Sequence, residues 1–414
     1  MAPGVPTEVP PNFKTSIGNC PYFNGFFQAL NHWNFSGISA INIYINNLVL
    51  AEYFGMSESV IILVSSFVFS GLAVALILRL ARKKAWYDHI NERKIHTGDV
   101  PRLGGVGFAL VFVAAAFFIN FSSPSSYFGL RFLPSLLALI LTLIMGVMDD
   151  FKPVAPRYKL IIHIFAALCV IVPGYGFDRL FFFNMEGIPF FPVILVVLSF
   201  FWLVGLTNAV NFVDGSDGLA GGISTLTALS YALIFNTMGN TGAVVLFCGS
   251  LAAAIGGFLI FNLPIPRAKI FMGDGGAYFL GLTLALLPLI SAEDGNGLPL
   301  LYAAALLIIP IFDAFSAIWR RIRDKRRIDS PDRSHIHHKL FTLGFNAAGV
   351  AGTLYGLQII ISILVFLSVK FQGILSLVFL GAAYLVGIGF FSCVHFLTRA
   401  ALAKTRALKR TQGA

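Results

Sequence analysis

The chain has 414 residues, of which 57% are hydrophobic and only 12% are charged, and its mean hydropathy is +0.82. Soluble globular proteins carry about 25% charged residues, and disordered chains combine low hydrophobicity with high charge, so the composition excludes both classes and predicts a membrane protein. The formal net charge of +10 is interpreted first through the positions of Lys and Arg along the chain.

The apolar residues fall into eleven runs, each close to the roughly 20 residues that a transmembrane helix needs. We therefore predict an all-α polytopic membrane protein with about eleven transmembrane helices. The predicted spans lie at about 59–80, 104–122, 131–148, 159–176, 189–208, 217–235, 241–261, 272–290, 298–319, 348–369 and 373–398.

These runs divide the chain into three regions. Residues 1–58 are apolar in patches but interrupted by Pro and Asn, which predicts an extracytoplasmic or interfacial segment, with a twelfth span within 20–56 as the alternative. Residues 59–398 form the predicted transmembrane domain, and residues 399–414 form a basic cytoplasmic tail. Four scattered cysteines do not make a disulfide framework.

The Lys and Arg residues predict the orientation of the spans. With the N-terminus outside, the segments that face the cytoplasm hold 25 of the 29 Lys and Arg residues, and the outer segments hold Lys14, Arg131, Arg179 and Lys370. This asymmetry follows the positive-inside rule and predicts a cytoplasmic C-terminus. Topology thus accounts for most of the net charge, and nucleic acid is not expected as a partner.

Ionisable residues near membrane spans are costly and usually mark function, and here they gather at the predicted cytoplasmic ends. Arg102 precedes a glycine-rich helix start (PRLGGVG) that suits an anion. Asp149 and Asp150 end the third span (MDDFKP), and Lys159 opens the fourth. Adjacent acids point in different directions on a helix, so separate roles are expected for the pair. A single acid at a helix end is often a cap or an interfacial charge, and this alternative stays open for each one.

Among the connections between predicted spans, NAVNFVDGSDGLAGG is the hardest to explain as a simple loop. Asn208, Asn211 and Asp214 are spaced three apart, which places them on one side of a helical continuation, and Asp217 follows between glycines. Amide and carboxylate oxygens are ligands that Mg²⁺ prefers. The segment is therefore predicted to help form a magnesium site.

Two further segments carry candidate residues. In KIFMGDGGA, Asp274 heads the eighth span among glycines, where the helix dipole also favours a carboxylate. In the basic loop WRRIRDKRRIDSPDRSHIHHKL, Arg333, His335, His337 and His338 are candidates for contacts with phosphate, while zinc is disfavoured because no cysteine accompanies the histidines. The RRIRDKRR portion is interpreted mainly as a topology signal.

The five motifs PRLGG, MDDFKP, NAVNFVDGSDGLAGG, FMGDGG and DRSHIHHKL together resemble the polyprenyl-phosphate N-acetylhexosamine-1-phosphate transferases. The resemblance covers residues 59–398 and implies transfer of a sugar 1-phosphate from a UDP-sugar to a polyprenyl phosphate, with UMP released. HIHHKL resembles the branch that uses UDP-N-acetylglucosamine to begin O-antigen, common-antigen or teichoic-acid linkage synthesis. Ala277 departs from the FMGD-x-G-Ser pattern often seen in the family.

The resemblance also implies a role for each candidate residue. Mg²⁺, with Mn²⁺ as the alternative, would be held by Asn211 and Asp274, and Asp149, beside Asp150, would act as base or position the acceptor phosphate. The residues expected to bind substrate or support the binding loop are Arg102, Lys159, Asn208, Asp214, Asp217, Arg333, His335, His337 and His338. The expected setting is the cytoplasmic face of a bacterial inner membrane, and a homodimer is left open.

Two rival interpretations differ in class from the transferase. A secondary transporter would also combine many spans with acidic residues, but transporter sites lie near the bilayer midplane, whereas these acids gather at one end. A lipid-binding scaffold would explain the basic loops and leave Asn211, Asp214 and Asp274 unexplained. Release of UMP that depends on an added polyprenyl phosphate would distinguish the transferase from both.

Overall fold

The computed structural model describes residues 56–86, 100–122, 128–181, 190–240, 242–265, 267–294, 296–327, 330, 332 and 334–412. Most of the predicted N-terminal segment, including the alternative twelfth span, lies outside this range. Within the described residues all regular secondary structure is helical and no strand occurs, which confirms the all-α prediction.

The described part of the chain forms thirteen α-helices, numbered here in chain order. Their bounds are α1 Met56–Lys83, α2 Gly104–Ser122, α3 Leu133–Phe151, α4 Pro156–Ile171, α5 Phe191–Val213, α6 Leu219–Met238, α7 Gly242–Asn262, α8 Gly273–Ile290, α9 Leu300–Leu306, α10 Ile308–Arg323, α11 Ile336–Thr342, α12 Ala347–Lys370 and α13 Ile374–Gln412. A short 3₁₀ helix, Gly129–Phe132, leads into α3.

Among the described residues, nine helices are long and apolar enough to cross a membrane, namely α1, α2, α3, α5, α6, α7, α8, α12 and α13. The bent pair α9 and α10 raises the count to ten if it forms one span. Helix α4 has 16 residues, or about 24 Å, which is shorter than a hydrocarbon core of about 30 Å. The chain is thus a multi-pass membrane protein, while the count of eleven spans is not confirmed.

The run at 298–319, predicted as one span, is instead broken between α9 and α10, which meet at an angle of 86°. Pro310 has no N–H to donate to the carbonyl of Leu306, one helical turn earlier. That carbonyl accepts a hydrogen bond from the buried Gln358 Nε2 of α12 at 2.9 Å instead. The sequence predicts one continuous span here because hydropathy averaged over about 20 residues is insensitive to a single proline.

Helix α8 lies at the centre of the bundle, because 17 of its 18 residues are buried. Glycines let its neighbours approach closely: Gly146 of α3 faces Gly275, and Gly281 of α8 faces the backbone at Thr207 of α5. This close packing brings the MDDFKP motif at the end of α3 next to the start of α8.

Replacing Gly146 with Ala is expected to lower both stability and activity. An added Cβ would lie 2.5 Å from the Gly275 nitrogen and 2.7 Å from the Asp274 carbonyl carbon, so α3 must move away from α8. Overpacking of this kind costs about 1–3 kcal/mol. The Tm in detergent measures the effect, and Gly205→Ala on α5 is the control because nothing lies within 4 Å of an added Cβ there. Equal Tm values for the two variants would contradict the packing argument.

Candidate active site

The PRLGG motif is joined to the FMGD motif by backbone hydrogen bonds. The Phe271 N–H donates to the Pro101 carbonyl at 2.7 Å, and the Gly104 and Gly105 N–H groups donate to the carbonyls of Phe271 and Met272 at 2.9 and 2.8 Å. Arg102 is thereby placed at the start of α8, where its charge acts on Asp150. The two motifs thus form one layer at the end of the bundle.

Asp150 binds the first turn of α8. Its Oδ1 accepts from the Asp274 N–H at 2.9 Å and its Oδ2 from the Gly275 N–H at 3.1 Å. Gly273 has a φ of +81°, and a Cβ there would lie 2.6 Å from Asp150 Oδ2, so glycine allows this approach. These contacts give Asp150 the role of holding α8 against α3.

Asp149 points in a different direction, towards α4 and the side chain of Asp274. Its Oδ2 forms an ion pair with Lys159 Nζ, and its Oδ1 accepts from the Val154 N–H at 2.7 Å. Its carboxyl group lies within hydrogen-bonding reach of Asp274, and Asp274 Oδ1 accepts from Asn211 Nδ2 at 2.8 Å. Four predicted site residues on four helices, α4, α3, α8 and α5, therefore form one continuous chain, the carboxylate chain Lys159–Asp149–Asp274–Asn211.

Asn208, predicted to bind substrate, contacts its own helix and α4. Its Nδ2 donates to the Val204 carbonyl at 2.8 Å and lies 3.1 Å from His163 Nδ1 of α4. Because the Asn208 Nδ2 group is a donor, His163 Nδ1 is the acceptor in this contact. His163 also packs on the ring of Tyr278, with 4.8 Å between centroids. Asn208 thus joins α5 to α4.

The loop of residues 214–218 connects α5 to α6 beside the carboxylate chain. Asp217 Oδ2 accepts from the Ala268 N–H at 3.2 Å, which ties this loop to the segment before α8. Burial, followed by the charges of Asp274 and Asp150, raises the pKa of Asp214 to about 8. Asp274 and Asp150 are therefore the acidic groups whose charges act most strongly on this loop.

Residues 335–338, here called the histidine segment, pack against loop 214–218. His335 Nδ1 lies 2.9 Å from Oδ2 of the buried Asp313, whose Oδ1 accepts from the Ile336 N–H at 2.8 Å. The centroid of the His335 ring lies 5.3 Å from the centroid of the Phe212 ring. Asp313 thereby fixes the orientation of the His335 ring beside the end of α5.

His337 and His338 continue this segment on α11. The buried His337 ring lies against Gly215, where any side chain would overlap it, and its centroid is 4.3 Å from that of His338. Burial, together with the charges of His338 and His335, lowers the pKa of His337 to about 3. His337 is therefore neutral at physiological pH. Arg333 lies outside the described residues.

Comparison with known proteins identifies the family. A family model described as "Glycosyl transferase family 4" matches residues 132–292. A protein from Bacillus subtilis (strain 168), named probable undecaprenyl-phosphate N-acetylglucosaminyl 1-phosphate transferase, is 31% identical over 302 residues, which are 70% of this chain and 80% of that protein. The chain belongs to glycosyl transferase family 4.

Other relatives of this family 4 transferase agree. The undecaprenyl-phosphate alpha-N-acetylglucosaminyl 1-phosphate transferase of Escherichia coli (strain K12) is 30% identical over 297 residues, 69% of this chain and 77% of that protein. The protein of the same name from Salmonella typhi is 29% identical over 296 residues. The sequence resemblance to polyprenyl-phosphate sugar-1-phosphate transferases is confirmed, and the chain is an enzyme.

Two arginines that the sequence analysis did not select also lie beside the histidine segment of this family 4 transferase. Arg320 binds Asp332 Oδ2 through Nε and Nη2, at 3.0 and 2.5 Å. Arg321 is buried, with its guanidinium 5.7 Å from the centre of the Phe212 ring. Both belong to the run that was interpreted as a topology signal. A spacing of four places Asp313, Ala317 and Arg321 on one face of α10, and this periodicity was the available signal.

The side-chain oxygen atoms of the family 4 site fit Mg²⁺ as ligands. Within the described residues, no group of three or more His, Cys, Asp or Glu side chains converges tightly enough to hold a metal by itself. Mg²⁺ does not need such a cage, because it commonly uses one or two carboxylates with waters and substrate phosphates. The carboxyl groups of Asp149 and Asp274 lie within hydrogen-bonding reach of each other, and a divalent ion would relieve the repulsion between two such acids. Asp274 and Asn211, already paired, are the residues that would hold it.

Proposed function

We propose that this transferase moves N-acetylglucosamine 1-phosphate from UDP-N-acetylglucosamine to undecaprenyl phosphate and releases UMP, with Mg²⁺ as cofactor. The reaction would begin the synthesis of a lipid-linked glycan at the cytoplasmic face of a bacterial inner membrane. The names of the relatives support the acceptor lipid and the sugar. The observation that carries the proposal is the carboxylate chain at one end of the bundle, with the histidine segment across loop 214–218 from it.

The proposed step is a single displacement. A phosphate oxygen of the lipid attacks the β-phosphorus of the UDP-sugar, the bond from that phosphorus to the bridging oxygen breaks, and UMP leaves with both electrons of the bond. A phosphate monoester has a second pKa of about 6, so the attacking group is already largely a dianion. Both oxygens of Asp149 are engaged, by Val154 and Lys159, which favours positioning of the acceptor over proton removal.

The side chains around the carboxylate chain would supply charge and orientation. Lys159 is held by Asp149 and lies 5.9 Å from the Tyr278 ring centre, where its ammonium would meet phosphate oxygens. Mg²⁺ held by Asp274 and Asn211 would neutralise the diphosphate. His335, oriented by Asp313, and the buried Arg321 would bind the donor from the opposite side.

Replacing Asp313 with Asn is expected to lower kcat/KM for the UDP-sugar by about tenfold to hundredfold. The variant weakens the bond that orients His335 and the bond to the Ile336 N–H, and hydrogen bonds to charged groups contribute about 1.5–3 kcal/mol. Initial rates of UMP release measure the effect. Asp324→Asn, at the end of the same helix in an exposed pair with Arg323, is the control and should retain wild-type kinetics. Equal losses in both variants would contradict a specific role for Asp313.

A reconstituted assay tests the proposal against the rival classes. Purified protein in detergent should release UMP from UDP-N-acetylglucosamine when undecaprenyl phosphate and Mg²⁺ are both present, and not when either is omitted. A panel of UDP-sugars in the same assay assigns the donor. Substrate uptake into proteoliposomes without release of UMP would overturn the proposal in favour of a transporter.

A further inference from the structure

Loop 214–218 is held from two sides by Tyr355 and Asn262, which belong to none of the five sequence motifs. We infer that Tyr355 of α12 is a positioning residue, which acts with Asn262 of α7 to fix the peptide groups of Gly218 and so sets the place of this loop between the carboxylate chain and the histidine segment. The expected change in enzyme kinetics rests on the proposed function. The expected loosening of the loop rests on the geometry alone.

The Tyr355 contact is specific in two ways. Its hydroxyl donates to the Gly218 carbonyl at 2.5 Å, and its ring occupies a notch at Gly222, where any Cβ would overlap the phenol. Gly218 has a φ of +73°, a conformation that favours glycine. The same carbonyl also accepts from the Gly222 N–H at 2.8 Å. The start of α6 therefore keeps one hydrogen bond when the phenol is removed.

Asn262 binds the other side of Gly218. Its Oδ1 accepts from the Gly218 N–H at 3.0 Å, and its Nδ2 donates to the Ile270 carbonyl at 2.9 Å. The side chain is buried, at 4% exposure. Both backbone polar groups of Gly218 are thus fixed, the N–H by α7 and the C=O by α12, and the loop is tied to the segment that leads into Asp274.

Fixing Gly218 also restrains the residues three and four positions earlier in the loop. Gly215 is in contact with the His337 ring, and Asp214 interacts electrostatically with Asp274 and Asp150. A loop released at Gly218 would separate the histidine segment from the carboxylate chain, although neither set of side chains has changed. The expected consequence is weaker donor binding.

The test compares Tyr355→Phe with a matched control, Tyr384→Phe. Tyr384 of α13 makes the same kind of bond, from its hydroxyl to the Leu301 carbonyl at 2.7 Å, but this bond joins α13 to α9 rather than to loop 214–218. Tyr355→Phe should raise KM for UDP-N-acetylglucosamine by roughly threefold to tenfold, with a smaller change in kcat. It should also speed hydrogen exchange of the amides of residues 214–222. Tyr384→Phe should change neither quantity.

A second pair of variants perturbs the same contact from the opposite side. Gly222→Ala should displace the phenol while keeping its hydroxyl and should give the same phenotype, whereas Gly356→Ala on α12, with nothing within 4 Å, should be neutral. Losses in Tyr355→Phe and Gly222→Ala should not multiply in the double variant, because both break one interaction.

The outcomes separate the two claims. Indistinguishable exchange and kinetics for Tyr355→Phe and Tyr384→Phe would overturn the positioning role. A wild-type protein with no transferase activity would overturn the proposed function, and hydrogen exchange at residues 214–222 would then still decide whether Tyr355 holds the loop.

Discussion

Asp274→Asn is expected to reduce sugar-phosphate transfer by roughly 10²- to 10³-fold, the size seen when one preorganised electrostatic contact in an active site is removed. Asp274 is the central member of the carboxylate chain, bonded to Asn211 and beside Asp149. The substitution removes a negative charge from the residue proposed to hold Mg²⁺ and leaves its backbone N–H bound to Asp150. Initial rates with labelled UDP-N-acetylglucosamine measure the loss.

A matched acid elsewhere in the chain controls for a general effect of charge. Asp178 follows α4 and forms a partly exposed pair with Arg179 at 2.9 Å. Asp178→Asn should retain wild-type activity, because an exposed ion pair contributes little. An Asp274→Asn variant with more than about a tenth of wild-type activity would contradict the role assigned to Asp274, since the expected loss is at least about 10²-fold.

The second large effect is expected for the pair Asp149 and Lys159, which joins α3 to α4. Their side chains are 5% and 21% exposed, so neutralising one partner leaves the other charge poorly solvated. Asp149→Asn and Lys159→Met should each lower kcat/KM by about 10²-fold, which corresponds to about 3 kcal/mol. The double variant should lose little more than the worse single variant, because the two residues act as a unit.

The control for this pair is Lys152→Met, which removes an exposed cation from the same connection between α3 and α4. It should change kcat/KM by less than about twofold, as expected for a surface charge. Losses that multiply in the Asp149→Asn, Lys159→Met variant would show that the two residues act independently, and would contradict the proposed chain of contacts.

The sequence was sufficient to place most of the membrane helices and the ends at which the acids gather. Apolar runs of about 20 residues identify membrane helices because the bilayer requires them, and polar residues at the ends of those runs mark the site. Adjacent Asp149 and Asp150 were predicted to have separate roles, and the structure directs one towards Lys159 and the other towards the first turn of α8. The helical period alone carries that information.

Contacts between distant elements could not be predicted from one sequence. Asn208 shares the spacing of Asn211, yet it binds His163 and the Val204 carbonyl, because the position of α4 beside α5 is a tertiary property. At the break between α9 and α10, the Leu306 carbonyl accepts from Gln358, which lies far along the chain. The sequence alone gives no functional role to Arg321, because the positive-inside rule is enough to explain a basic run at the end of a membrane span.

The central claim is that the bond broken in the donor lies between the two phosphorus atoms, so that the sugar leaves with its phosphate. UDP-N-acetylglucosamine labelled with ³²P at the β-phosphate tests this directly when it is incubated with purified protein, undecaprenyl phosphate and Mg²⁺. The account predicts that the label moves into the butanol-extractable lipid and that the released UMP is unlabelled. Label that stays in water-soluble UDP while the sugar enters the lipid would contradict it.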